Sequence, residues 1–204
     1  TVAEAGASEG GGGAAGDGGA APEGTEQIRE MVDEAVARKA AQLRRMRDKK
    51  PPIAVFAKTL GLDGGQREVV EQEVLRGQRE IQAILEIPAA DGTYFLDELV
   101  EVLADGLARP GQNPGRGMKL FGRLLAEEIP GTSETYAERV EAVKKSVRDT
   151  FRRDLTQEQY ALFEAWEMDP TEIKGIEGSP WKDLERRVIE RARDLGATLP
   201  EDDE

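Results

Sequence analysis

Two distant segments of the chain carry the same pattern for starting a helix. Leu62 precedes Asp63, a residue type that caps helices, and Gln66 follows three positions after that cap. A glutamine at this spacing can return a hydrogen bond to the backbone of the capping residue, which completes a capping box. The second copy of the pattern consists of Leu155, Thr156 and Gln159. Apolar residues at helical spacing follow both boxes, so the sequence predicts two helices that begin in the same way.

Apolar residues recur at helical spacing through most of the chain. The run after the first box ends at Pro88, because proline does not continue a helix. Valines and aromatic residues from Tyr136 to Phe151 step by four and three positions, which is typical of a coiled-coil seam. Such a seam needs a partner helix, and the run after the first box is the expected partner. We therefore predict an all-α fold, an elongated helical hairpin or bundle with two LTxxQ-type helix starts.

Prolines and glycines predict where the helices between the two boxes begin and end. Residues 110–117 contain two prolines and three glycines and are predicted to be the clearest internal loop. A short helix is expected to follow from Met118 and to be closed by Pro130. A long helix is then expected to start at Thr132.

Composition divides the chain into four parts. Residues 1–24 are rich in glycine and alanine and predict a disordered, flexible linker. Residues 25–50 predict an amphipathic helix with a basic end, and residues 51–170 predict the helical-hairpin domain. Residues 171–204 predict a C-terminal helix and an acidic tail, with Trp181 expected to anchor that helix onto the core.

The balance of charge bears on the class of partner. The formal net charge is −13 at pH 7, whereas binding to nucleic-acid phosphates draws on a surplus of lysine and arginine. We therefore predict no nucleic-acid partner. One basic run lies near the end of the predicted helix 25–50, where it is either a solvated helix end or a contact for anionic lipid or an acidic partner. Its candidate contact residues are Arg38, Lys39, Arg44, Arg45 and Arg47.

The chain contains no cysteine and no histidine. It therefore lacks thiolate nucleophiles, the commonest general base and the usual ligands for zinc, nickel and copper. Adjacent carboxylates such as Glu127 and Glu128 point to different sides of a helix and are not expected to form a catalytic pair. We predict a protein without enzymatic activity, cofactor or metal. A calcium-responsive sensor is a third hypothesis, but no spacing of acidic residues supports it.

The segment from Leu155 to Gln159 resembles the signature of the Spy/CpxP-like LTxxQ family of bacterial envelope proteins. The first box has Asp63 where that family has threonine, and the resemblance covers about residues 53–166. It implies a cradle-shaped helical hairpin, often dimeric, that binds unfolded clients or regulates a membrane stress sensor. It also implies that the box residues are structural, setting the helix starts and their mutual contact. Metal-sensing relatives use histidines that this chain lacks.

These observations lead to one hypothesis for function and one alternative. The chain is expected to be a periplasmic or envelope protein-binding domain, chaperone-like or stress-sensing, and to form a homodimer. The alternative is a structural scaffold that docks one fixed partner in an envelope assembly. The linker 1–24 is either a tether to a membrane anchor upstream of Thr1 or a terminus without a role. A cytoplasmic location stays open as well.

Overall fold

The computed structural model describes residues 50–198, which contain seven α-helices and one short 3₁₀ helix. No β-strand occurs in this range, so the predicted all-α fold is confirmed. The linker 1–24, the helix predicted over 25–50 except for Lys50, and the acidic end 199–204 lie outside the described residues. The α-helices are α1 Ile53–Leu60, α2 Gly64–Leu85, α3 Phe95–Ala108, α4 Pro114–Ala126, α5 Tyr136–Asp154, α6 Gln157–Trp166 and α7 Pro180–Asp194; the 3₁₀ helix is Pro170–Glu172.

The two longest helices, α2 and α5, pack along each other, which is the partnership that the seam predicts. They approach closely at Gly77, where an added Cβ atom would lie 2.7 Å from Cγ2 of Val147. Only a glycine fits at that distance, because real Cβ contacts are longer. The chain reaches this pairing after passing through α3 and α4, which lie between α2 and α5 in sequence.

The main core lies where α2, α3, α4 and α5 meet. The ring of Phe95 lies 4.5 Å from the ring of Tyr136, centroid to centroid, and the Tyr136 hydroxyl donates to the carbonyl of Ile87 at 3.2 Å. The buried residues of this core are Ile81, Ile84, Leu85, Ala89, Phe95, Leu96, Leu120, Ile129, Tyr136 and Val143. A separate aromatic group joins α1, α5 and α6 through Phe56, Phe151, Phe163 and Trp166.

Helix α7 packs against α3, with Val188 and Ala192 buried against Val100 and Ala104. Trp181, near the start of α7, packs on the main core. Its indole N–H donates to the carbonyl of Thr171 at 2.9 Å. The predicted anchoring role of this tryptophan is confirmed.

Two predicted boundaries are wrong. Helix α4 begins at Pro114, so residues 114–117 of the predicted loop are helical; a proline at the first helical position loses no hydrogen bond there. The end of this helix at Ala126 agrees with the predicted stop before Pro130. Helix α5 begins at Tyr136 and not at Thr132, because Thr135 and Glu138 form a capping box there.

Candidate functional site

Both predicted capping boxes form. In the first, the Asp63 carboxylate accepts from the backbone N–H of Gln66 at 2.8 Å, and the Gln66 amide oxygen accepts from the backbone N–H of Asp63 at 3.2 Å. In the second, Thr156 and Gln159 make the equivalent bonds at 3.2 and 2.9 Å. Both glutamines thus satisfy backbone groups that a helix start leaves open.

The two boxes also meet. The Gln66 amide donates to the Gln159 amide oxygen at 3.0 Å, and Gln159 donates back at 3.1 Å. Gln159 also donates to the carbonyl of Gly61, the residue that ends α1, at 3.2 Å. Leu155 is buried and Leu62 half-buried beside this junction. The amides therefore hold the end of α1 and the starts of α2 and α6 together.

Replacing Gln66 and Gln159 by alanine is expected to reveal this coupling. Each single variant should lose about 1 kcal/mol of unfolding free energy, and the double variant should lose less than the sum by about 0.5–1 kcal/mol. Thermal unfolding followed by circular dichroism measures the cycle, with the exposed Gln157→Ala as control. Strict additivity would show that the two amides do not interact in solution.

The remaining sequence-based candidates find no site in the structure. Arg38, Lys39, Arg44, Arg45 and Arg47 lie outside the described residues. Among residues 50–198, no group of three or more metal-ligating side chains could hold a metal ion. No helix in the described range has the length and apolarity needed to cross a membrane.

Helix α4 exposes three large apolar side chains. Met118 is 73% exposed, Phe121 59% and Leu125 53%. They are spaced by three and four residues, so they share one flank of the helix. Leu120 and Leu124 pack on the core instead. The apolar side chains of α4 therefore cover more of the helix surface than the core can bury, and those on the outer flank are exposed to solvent.

Helix α3 also exposes two large apolar side chains. Leu96 and Leu99 pack on the core, while Leu103 and Leu107 extend the same stripe and are exposed. A Cβ added at Gly117 of α4 would lie 3.7 Å from Val102 of α3. Helices α3 and α4 run antiparallel, since Arg116 pairs with Asp105 and Arg123 with Glu98. The residues that follow Val102 and Gly117 are Leu103 and Met118, and each is rotated by 100° about its own helix axis. In an antiparallel pair these two rotations bring both side chains to the same side. We call the set Leu103, Leu107, Met118, Phe121 and Leu125 the α3–α4 face.

The α4 part of the α3–α4 face lies on a basic segment of an acidic chain, whereas α3, which carries Leu103 and Leu107, has four carboxylates and no lysine or arginine. Residues 109–126 contain four cations and no carboxylate, although the chain as a whole has a net charge of −13. Arg109 and Arg116 share Asp105 at 3.6 and 3.7 Å. Lys119 makes no ion pair with any described residue and is exposed. The α4 edge of the face is therefore open to an acidic group from outside, through Lys119.

Arg123 fixes the position of α4. Its side chain is 22% exposed and donates to Glu98 of α3, to Glu127 at 3.0 Å and to the Thr93 hydroxyl at 3.2 Å. The guanidinium also lies 5.0 Å from the centroid of the Phe95 ring. Burial disfavours its charge, but the carboxylates of Glu98 and Glu127 outweigh that effect and raise the pKa of Arg123 above its ordinary value. The fold therefore presents the α3–α4 face on an anchored helix.

A cleft of about 690 Å³ lies between α3, α4 and α7, and is lined by charged side chains. Arg187 pairs with Asp97 at 2.6 Å, and Arg191 nearby pairs with Glu101 at 2.7 Å. These exposed ion pairs join α7 to α3 but add little to the apolar contact between the two helices. The three carboxylates of the cleft already pair with arginines, and Lys119, which also lines the cleft, is its one cation without an ion pair among the described residues. The cleft is therefore a less suitable site than the exposed apolar side chains of α4.

Met118, Phe121 and Leu125 are predicted from the sequence to lie on a helix, but their exposure is not among the predictions. The signal was present, since five of the eight residues from 118 to 125 are large and apolar, more than one buried stripe needs. No family model, no curated protein and no solved structure matches the chain. The candidate site therefore rests on the sequence and geometry of this protein alone.

Proposed function

We propose that the protein is a non-enzymatic binding domain whose α3–α4 face receives apolar segments of other polypeptides that carry acidic residues. The observation that carries this proposal is the exposed flank of Met118, Phe121 and Leu125 on a basic, anchored helix. Contiguous exposed apolar surface of this kind marks interaction sites on soluble domains. The free cation at Lys119 favours an acidic occupant over a basic one.

The size of the face suits weak, reversible binding. Covering the exposed parts of five large apolar side chains contributes on the order of 5 kcal/mol. Association costs several kcal/mol in lost translational and rotational freedom, so only part of that gain remains as affinity. Reversible capture is what a chaperone-like or stress-sensing protein requires.

The proposed setting is the periplasm or cell envelope, which the LTxxQ-like segment Leu155–Gln159 supports. The same resemblance supports a homodimer. The alternative is a scaffold that docks one fixed partner through the α3–α4 face. The test must distinguish this scaffold from a protein that binds several unrelated clients.

The test is suppression of aggregation. Two unrelated chemically denatured proteins are diluted into buffer with the full chain, and light scattering is recorded. We expect protection at a near-stoichiometric ratio, because the face captures exposed apolar segments. The triple variant Met118→Ser, Phe121→Ser, Leu125→Ser should lose most of this protection.

The control variant is Val55→Ser, Val69→Ser, which removes exposed apolar side chains that lie on α1 and α2. It should protect as well as the unmodified protein. Equal protection by the triple variant would refute the α3–α4 face as the binding surface. No protection at all, together with one stoichiometric partner in a pull-down, would favour the scaffold.

A further inference from the structure

We infer that the occupant of the α3–α4 face is an acidic amphipathic α-helix that lies against α4, with its backbone close to Gly122. This inference rests on the proposed function and names the class of polypeptide that the face selects. Three features support it: a flank of α4 without free backbone hydrogen-bonding groups, the alternation of glycines and large apolar residues along that flank, and the positive charge of Lys119 at its edge.

The surface of α4 favours a helical occupant over an extended one. In an α-helix, the backbone N–H and C=O groups bond within the helix, so α4 offers no backbone partner along its flank. An extended segment lying there would cover its own backbone groups without hydrogen bonds, which is costly. A helical segment satisfies its backbone internally and offers only side chains to the face.

The flank also has the relief that helix packing uses. Gly115, Met118, Gly122 and Leu125 follow each other at steps of three, four and three residues, so small and large residues alternate along one surface. Side chains of a second helix can fit over the glycines while Met118 and Leu125 fit between its own side chains. Phe121 widens this surface on one side.

The glycines of the flank have no role in packing within the described part of the chain. A Cβ atom added at Gly115 or at Gly122 would meet nothing within 4 Å. Gly77, by contrast, is required by Val147 of the neighbouring helix. Glycine disfavours a helix relative to alanine. A partner helix that approaches closely at Gly122 would explain why a glycine stands at this position of α4.

The rim of the flank supplies the preference for acid. Lys119 lies four residues after Gly115 and three before Gly122, so it borders both. Arg116 follows Gly115 by one residue, so it lies about 100° around α4 from that glycine and is directed toward Asp105 of α3, 3.7 Å away. A helix lying over the glycines would place a flanking carboxylate beside Lys119.

The test uses three labelled peptides of about 20 residues, each with leucines at heptad spacing. The first has glutamates at the flanking positions, the second has lysines there, and the third has the glutamates but also two central prolines that prevent a helix. Fluorescence anisotropy is measured with the full chain. We expect the first peptide to bind at least about tenfold more tightly than the other two.

Gly122→Ala then tests the close approach. The variant should be at least as stable as the unmodified protein, because alanine favours the helix and meets no atom. Its affinity for the acidic peptide should nevertheless fall by about tenfold. Gly64→Ala, at an equally open helical glycine of α2, should leave peptide affinity unchanged.

Equal binding of all three peptides, or unchanged affinity in Gly122→Ala, would overturn the inference. If denatured clients are protected while no peptide is preferred, the proposed function stands and only the helical occupant is wrong. If neither clients nor peptides bind, both fail. Light scattering that shows a dimer dissociated by Gly122→Ala would replace the acidic helix with a second copy of this chain.

Discussion

Replacing Gln78 by alanine is expected to lower the free energy of unfolding by about 3 kcal/mol. Gln78 is fully buried in α2. Its amide nitrogen donates to the carbonyls of Thr171 and Ile173 at 2.9 and 3.1 Å, and its amide oxygen accepts from the Ser179 hydroxyl at 2.6 Å. The variant leaves a cavity, and the two carbonyls and the hydroxyl each lose the hydrogen bond that the Gln78 amide makes with them. Packing and hydrogen bonding are therefore lost together.

Urea unfolding followed by circular dichroism measures this effect. Gln72→Ala is the matched control, because Gln72 lies on the exposed side of the same helix and bonds only to Glu68. Its effect should stay within about 0.5 kcal/mol. If the two variants were equally stable, the Gln78 network would not be what joins α2 to the 3₁₀ helix and the start of α7.

Replacing Arg123 by methionine is expected to cost about 2 kcal/mol of stability. The change keeps an apolar stem over Phe95 but leaves the partly buried carboxylates of Glu98 and Glu127 without their cation. Because these bonds join α4 to α3, the variant should also bind the acidic peptide more weakly. Arg123→Lys should restore little, since an ammonium group cannot reproduce the planar fork that reaches several oxygens at once.

Arg116→Met is the matched control, because it removes one positive charge from α4 without removing the bonds by which Arg123 joins α4 to α3. Arg116 is exposed and makes only the long contact with Asp105, so its loss should leave stability nearly unchanged. Urea unfolding of both variants beside the unmodified protein decides the question. Equal stability of Arg123→Met and Arg116→Met would mean that Arg123 does not hold α4 in place.

Features that depend on local sequence could be predicted in this chain. The boxes at Asp63 and Thr156 mark helix starts because the cap and the glutamine are three residues apart, a distance that only a helical turn brings together. The seam from Tyr136 to Phe151 indicated its partner, because a valine stripe at steps of three and four needs a facing helix. The start at Thr135 carries the same signal, with Glu138 three residues on, but Thr132, three residues earlier, is also a residue type that caps helices.

Features that depend on which helices meet could not be predicted. In the sequence, Gln78 is indistinguishable from the exposed polar residues of α2. It is buried and hydrogen-bonded only because residues 171–179 pack against it in the fold. Met118 and Leu120 are equally apolar in sequence, yet one is exposed and the other buried. Helical periodicity shows that side chains share a flank, but it does not show whether another element covers that flank.

Methionine methyl resonances test the location of the binding surface most directly. The chain has four methionines, of which Met118 lies on the α3–α4 face and Met168 is buried elsewhere. With methyl-labelled methionine and assignment by Met118→Leu, an unfolded client held in solution is titrated in. A binding face made of α3 and α4 predicts that the Met118 signal shifts or broadens while that of Met168 stays in place. Client binding that leaves the Met118 signal unchanged would contradict it.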